Sequence, residues 1–426
     1  MPKILHVDIN SYFATILQQE NPGLRGKPVG VLKETGRTVI IAASKEAKLY
    51  GVKTGSMVRD ARELCPQIIL VPAQFDFYLS ATQKLKAVFE GITPKVFMFS
   101  LDEAFLDVTG DSFRYPDPFR LGSDIQNKIK ESLGEWVTCN VGISYNRLLA
   151  KLASEVSPKG SITEITTKNR DEYLKNAEFA DICGIGFALS AKLENLGISN
   201  PLDIRTLSDQ TLLSVFGPFW SQELRTISLG EDSFILREEA MPAGRQGKGF
   251  FKPHEHMKSV SRSVTGHRLC DSEMQIRSIL YNLCEEVAFK TRRMGLSSRQ
   301  ISAFLEGEDK SWHDHVTLKH SIDGTQEIFE VVYQMLYTRL KRNFRVIRFG
   351  VRISLLTPSL NQTLPLFEAR RKNDKLYKAL DKLSLKYGLF TVHSGVLTKH
   401  EVLMPEVTGY FGDREYYLNN LVQSTV

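Results

Sequence analysis

Ser100-Leu101-Asp102-Glu103-Ala104-Phe105-Leu106-Asp107 sets two adjacent carboxylates inside an apolar run that extends from Val96 to Val108. Such a run reads as a strand, a tight turn and a second strand. Carboxylates in an apolar hairpin are costly unless a cation meets them. Successive strand side chains face opposite ways, so Asp102 and Glu103 reach one site only if they lie at the turn. A third carboxylate, Asp8, ends a similar apolar strand, Ile4-Leu5-His6-Val7-Asp8. Neither segment holds a Lys or Arg. Any one of these acids alone reads as a turn or strand-end residue. The set points to a divalent cation, and all-oxygen donors favour Mg²⁺ or Mn²⁺ over zinc. If one carboxylate bridges, the three hold two ions, which clamp the attacking and leaving oxygens of an in-line phosphoryl displacement.

Around this hairpin, strand and helix patterns alternate. Residues 2–8 read as a strand and 10–19 as a helix that stops before Asn21-Pro22. Paired strands are expected over 27–32 and 38–43, and short helices over 45–50 and 57–64. A longer helix over 75–89 ends at Gly91 and Pro94. Helix, strand and helix follow over 117–133, 137–144 and 147–156. This is an α+β pattern. After about residue 166 the texture changes to short helices. Residues 238–258, rich in Gly, Pro and charge, read as a linker. Strands return near 258–263, 299–306, 315–318 and 345–355, and a charged helix is expected over 370–385. No internal repeat or low-complexity block is present.

Composition bounds the function classes. At roughly 100–200 residues per domain, two to four domains are expected in a chain of 426 residues that is 42% hydrophobic. The five cysteines (65, 139, 183, 270, 284) form no CxxC pair, which favours buried, reduced thiols in a cytoplasmic protein over zinc or disulfides. No signal peptide or long apolar span is visible, so a soluble protein without a membrane partner is expected. The net charge is +6, yet residues 241–360 alone carry 19 Lys and Arg against 12 Asp and Glu. A basic module beside an acidic metal site suggests a polyanionic partner such as nucleic acid.

The residues now quoted resemble a known family. Val7-Asp8-Ile9-Asn10-Ser11-Tyr12-Phe13-Ala14 and Ser100 to Asp107 are similar to two signature motifs of the Y-family DNA polymerases, the translesion enzymes of DinB and UmuC type. Glu46-Ala47-Lys48 with Tyr50-Gly51-Val52-Lys53-Thr54-Gly55 resembles the finger motif. Val141-Gly142-Ile143-Ser144, Asn146 and Leu149 to Ser154 resemble the late palm motif. The resemblance implies that Asp8, Asp102 and Glu103 bind metal and act in catalysis, with the Ile9 carbonyl as a further ligand. Phe13 falls at the steric gate against the sugar, and Tyr12 either beside the sugar or in the helix core. Two departures stand out. Lys45 and Lys48 occupy positions where many members carry Tyr and Arg on the triphosphate; lysines neutralise phosphate as point charges without the bidentate fork. Ser157 stands where the family places a phosphate-binding lysine, which leaves Lys159 or Lys151 to substitute.

The remaining expectations concern DNA. Ile182-Cys183-Gly184-Ile185-Gly186-Phe187 followed by 189–196 has the form of a helix-hairpin-helix. Its glycines, Gly184 and Gly186, would let backbone approach a phosphate at a helix N-terminus, a contact blind to sequence. Lys258 to Val264, with Arg262, resembles the opening strand of the family's little finger. Arg348 and Arg352 fall on one strand face, suited either to a DNA backbone or to plain solvation. Gln362-Thr363-Leu364-Pro365-Leu366-Phe367 resembles a sliding-clamp-binding peptide; the other reading folds Leu366 and Phe367 back on the domain.

The expectation is therefore a multidomain α+β, right-hand polymerase. It would have a ferredoxin-like palm (1–15 and 74–165), small fingers (16–73), a helix-hairpin-helix thumb (166–237) and a linker (238–257). An α/β little finger (258–358) and a C-terminal tail (359–426) complete it. The implied reaction is low-fidelity translesion synthesis from dNTPs on primer–template DNA with two Mg²⁺ or Mn²⁺ ions, by a monomer that docks on a clamp. Rivals are a catalytically weak adaptor that binds DNA and the clamp, and a nucleotidyl cyclase with a similar palm.

Overall fold

The computed structural model describes residues 3–32, 39–111, 117–237, 258–339, 344–359 and 368–398. They fall into two compact units, one within Met1–Phe251 and one within Lys252–Val407. Among the described residues no helix is long and apolar enough to cross a membrane.

The first unit runs β1 (Ile4–Ile9), α1 (Tyr12–Glu20), β2 (Val29–Leu32), β3 (Ile40–Ala43), α2 (Lys45–Leu49), α3 (Val58–Leu64), β4 (Ile69–Pro72) and α4 (Phe75–Glu90). It continues through β5 (Val96–Met98), β6 (Glu103–Asp107), α5 (Pro118–Leu133), β7 (Cys139–Ser144), α6 (Arg147–Glu155) and β8 (Ile162–Glu164). Three helices close it: α7 (Arg170–Asn176), α8 (Phe187–Asn195) and α9 (Asp209–Ser228).

Five strands form one sheet in the order β5-β6-β1-β7-β8, with β1 antiparallel to both neighbours. The period of two sorts β1 by face. Leu5, Val7 and Ile9 enter a core with Tyr78, Leu85 and Phe89 of α4 and Leu121, Ile125 and Ile129 of α5. Ile4, His6 and Asp8 face the other way, toward α6. Gly142 of β7, opposite His6 in register, lets α6 lie unusually close. A Cβ there would stand 1.9 Å from the Ala150 carbonyl oxygen, so only glycine fits. The small sheet β3-β2-β4 has its own core of Leu32, Ile40, Ala47, Val52, Ala61 and Cys65. Helices α7–α9 share a third core with Leu148, Leu149 and Leu152 of α6.

The second unit runs β9 (Ser259–Cys270), α10 (Glu273–Arg293), β10 (Leu296–Glu306), β11 (Ser311–Ile322), α11 (Thr325–Glu330), β12 (Val346–Pro358) and α12 (Glu368–Tyr387). Its sheet is antiparallel in the order β11-β10-β12-β9. Phe349, Val351 and Ile353 bury one face in a core with Ile276, Leu280 and Leu283 of α10. The expected strand at 315–318 covers only the middle of β11. This edge strand alternates exposed and half-buried residues, so its apolar signal is weak at both ends. The expected tail also needs correction: Phe390 and Leu397 lie in this unit's core, so the packed domain runs past 358.

Candidate active site

Two neighbouring strands bring the acids together. Asp8 pairs directly with Glu103 across β1 and β6, and Asp102 stands one residue earlier, at the end of the turn. The Ile9 N–H donates to the Asp102 carbonyl at 3.0 Å, which ties the turn to the end of β1. The Ser100 hydroxyl donates to Asp102 Oδ1 in a short contact. Thr82 of α4 donates to the Leu101 carbonyl at 2.8 Å and fixes the turn from below.

The three carboxyls have different electrostatic fates. Burial, then the like charge of Asp102, pushes Asp8 up to about 8. Burial raises Asp102 to about 6, partly opposed by the Ser100 hydroxyl. Burial also acts on Glu103, but the His6 hydrogen bond and the Lys151 ammonium outweigh it and hold Glu103 down at about 2. The causes divide as desolvation and like charge on one side and a cationic partner on the other.

Glu103 is thus already partnered. Lys151 of α6 contacts its Oε2 and also reaches Glu155 at 3.2 Å. His6 Nε2 lies 3.1 Å from the same Oε2, and His6 Nδ1 lies 2.7 Å from Ser154 Oγ. An ionised carboxylate only accepts, so the proton sits on Nε2, and the Ser154 hydroxyl beside Nδ1 also meets the Lys151 carbonyl at 2.8 Å. Burial lowers the His6 pKa and keeps the ring neutral. One expectation is corrected here. Lys151 serves Glu103 and not a triphosphate. Among the described residues no three His, Cys, Asp or Glu side chains stand as a ready metal cage, because Glu103 is drawn toward α6. Asp8 and Asp102 still fit a hard cation. They are half-buried oxygen donors, close enough for Asp102 to raise Asp8, and a cation between them would relieve that repulsion.

Other expected residues are distributed as follows. Tyr12 is 2% exposed, and its hydroxyl binds the Tyr78 carbonyl at 2.7 Å and Thr82 Oγ1 at 2.8 Å. It is core, which corrects its assignment to the nucleotide. Phe13 is half-buried and packs edge-on to Tyr78 at 4.5 Å. The chain turns between β1 and α1 through Ser11 in the left-handed region (φ 51), an uncommon conformation outside glycine. Lys48 has its pKa lowered by burial and then by Lys159, while Asp8 opposes the shift; Lys48 and Lys159 therefore share one neighbourhood beside Asp8. Lys45 is exposed, with its ammonium 4.4 Å over the Trp136 ring. Trp136 Nε1 donates to Gln18 at 3.1 Å, and Gln18 donates to Glu46 of α2 at 3.0 Å.

The hairpin glycines stand before α8. Gly184 takes φ +106, which favours glycine, and Gly186 caps the helix. Phe187, the first residue of α8, is 91% exposed. A second break, Gly217 at φ +76 before Pro218 inside α9, had a signal in the Gly-Pro dipeptide. In the second unit Arg348 and Arg352 are both exposed on the open sheet face, with Arg348 paired to Glu306 at 3.1 Å. Arg262 points into the unit. It is 5% exposed and donates to Glu286 at 2.6 Å, so its expected part in DNA binding is corrected to an internal ion pair. Gln362, Leu364, Leu366 and Phe367 lie outside the described residues.

His6, Ser154, Glu155 and Trp136 enter the site unannounced by the sequence reading. His6 shares the strand parity of Asp8 and Glu155 follows Lys151 by one helical turn, so those two carried a signal. Ser154 stood in the quoted late palm motif without a role of its own, and Trp136 carried no signal.

The impB/mucB/samB family model matches residues 7–155, and that family's C-terminal domain model matches 257–366. The chain is 36% identical over 360 residues to DNA polymerase IV 2 of Agrobacterium fabrum, covering 84% of this chain and 95% of the relative. It is 29% identical over 398 residues to DNA polymerase IV of Moorella thermoacetica, covering 92% and 95%. Among solved structures, a Y-family DNA polymerase chimera of Dbh and Dpo4 aligns with TM-score 0.67 and 24% identity over 83% of this chain and 98% of the chimera; it shares the fold.

Proposed function

The chain belongs to the impB/mucB/samB family of Y-family DNA polymerases, and on that premise we propose that it copies DNA past damaged template bases. It is a DNA-directed DNA polymerase of DinB type. The primer 3′-hydroxyl attacks the α-phosphate of a dNTP, and pyrophosphate leaves. The observation that carries the reading is the pair Asp8 and Asp102, two half-buried carboxylates brought to one end of β1 by the sheet register and the Ile9–Asp102 bond.

Asp8 and Asp102, with the Ile9 carbonyl, would hold divalent cations, and Glu103 would join from its Lys151 and His6 partners. When bound, such cations neutralise phosphate charge and lower the pKa of the attacking hydroxyl; Mg²⁺ is the ion we assign, with Mn²⁺ as a substitute. Lys48 and Lys159 hold the triphosphate, a role supported by their shared neighbourhood beside Asp8. Phe13 guards the sugar. Gly184 and Gly186 meet a phosphate by their backbone, and Arg348 and Arg352 meet others on the open sheet face.

Single-nucleotide insertion on a primed template with Mg²⁺ tests the site. Removing one outer partner of a metal site commonly costs about 10–100-fold, so Asp102→Ala, which removes a direct ligand, should cost more than that. Lys48→Gln should raise KM for dNTP, and Phe13→Ala should admit ribonucleotides. Insertion that survives Asp102→Ala would place the chemistry elsewhere.

The clamp partner rests on Gln362, Leu364, Leu366 and Phe367 in the sequence. Leu366→Ala with Phe367→Ala should abolish co-elution with a bacterial sliding clamp and leave distributive insertion intact. Undiminished co-elution would remove the peptide from this role.

A further inference from the structure

α12 presents a surface that the polymerase site does not use. The family's C-terminal match ends at residue 366, and α12 begins at Glu368. One side of the helix is anchored. Arg292 of α10 holds Asp381 with two hydrogen bonds of 2.9 and 2.7 Å, and its guanidinium lies 4.8 Å over the Tyr377 ring. The Tyr377 hydroxyl accepts the Gln326 N–H at 3.0 Å. Past the helix, Phe390 and Leu397 are embedded in the core. The rotation of α12 about its axis is therefore fixed by packing.

The outward side is basic. Lys375, Lys378, Lys382 and Lys386 are all exposed. Steps of three, four and four residues keep them within an arc of roughly 80° and along about 16 Å of helix. The only acid between Lys375 and Lys386 is Asp381, and it is turned inward onto Arg292, so the stripe carries no compensating charge of its own. This surface is separate from the basic sheet face. Arg348 and Arg352 stand on the open side of the sheet, whereas α12 attaches to α10 and to the start of α11 on the helical side.

We propose that this lysine stripe binds the sugar–phosphate backbone of DNA without regard to sequence. Lysines are flexible point charges that suit repeated phosphates. A length of about 16 Å matches roughly five phosphates of one strand at about 3.4 Å each. Leu376, Leu383 and Tyr387, exposed beside the stripe, are too few for a membrane-lying face, because the opposite side of the helix is already spent on the protein core. The choice of DNA as partner rests on the polymerase reading.

The test uses the full-length chain and a fluorescein-labelled blunt duplex, with binding followed by anisotropy over a series of NaCl concentrations. Each lost phosphate contact flattens the slope of log K against log salt by about 0.9, so K375Q/K378Q/K382Q/K386Q should flatten it by about 2–4. Replacing the same four lysines with arginine should restore it. Insertion kcat at saturating primer–template should match wild type. A wild-type slope in the quadruple Gln variant overturns the proposal and leaves an acidic protein surface as the partner. Should that variant melt early, K378Q/K382Q decides, with flattening by about 1–2 expected and an unchanged slope overturning the idea. Failure of the wild type to bind the duplex would instead count against the polymerase reading itself.

Discussion

At the scale of single residues, the acids at the end of β1 are arranged against their own stability. Asp8 sits half-buried beside Asp102, and desolvation with that like charge pushes its carboxyl up to about 8 where an exposed Asp titrates near 4. A carboxyl raised in the folded state binds protons that the unfolded chain releases. Its stabilising contribution is full below the unfolded value and is lost as pH rises through the folded one. The metal-free protein should therefore lose thermal stability between about pH 4 and 8, in the window set by Asp8 and Asp102. Asp8→Asn should flatten that profile, and MgCl₂ should raise Tm more at pH 8 than at pH 6. A metal-free Tm that rises across the window would refute the assigned environment. Glu103 behaves oppositely because it has partners: neutral His6 donates to it and Lys151 sits on it. Lys151 read from sequence as a phosphate ligand, because spacing reveals a cation near an active site but not which anion it meets.

At the scale of elements, the close approach of α6 to β7 organises the site. α6 delivers Lys151, Ser154 and Glu155 only because Gly142 carries no side chain. Gly142→Ala would drive a methyl into the Ala150 carbonyl, a backbone atom that cannot rotate away. The expected cost is at least the roughly 1–3 kcal/mol of ordinary overpacking, and α6 should shift off the sheet. Calorimetry should register a clear fall in Tm, and nucleotide insertion should fall with it. A variant with wild-type Tm would mean that α6 is free to relax. The element-level reading from sequence was close for the hairpin, α4, α5 and α6, where apolar periodicity is strong. It was weakest for β11, an edge strand with polar residues on both faces.

At the scale of the whole molecule, the second unit extends beyond the family's C-terminal match. Phe390 and Leu397 complete its core, and Asp381 neutralises Arg292, whose side chain is 9% exposed. A chain ending at residue 367 would leave Arg292 buried without its carboxylate. Losing one partner of a buried pair commonly costs about 3–5 kcal/mol, and the loss of Phe390 and Leu397 adds to it. Truncation there should lower the unfolding temperature measured by calorimetry. A truncated chain with an unchanged transition would reduce α12 to a surface appendage.

The family, the α+β alternation, the acidic hairpin and the strand that carries Asp8 were all legible in the order of residues. Those signals are local: periodicity, turn residues and carboxylates in apolar runs are legible without knowing what touches what. Which groups those acids meet emerged with packing. It buried Tyr12 under α4, turned Arg262 onto Glu286, gave Lys151 to Glu103 and drew Lys48 and Lys159 together. Each is a contact between residues distant in the chain, and strand register and helix packing set such contacts, because charge and hydrophobicity name a residue's needs without naming its partner.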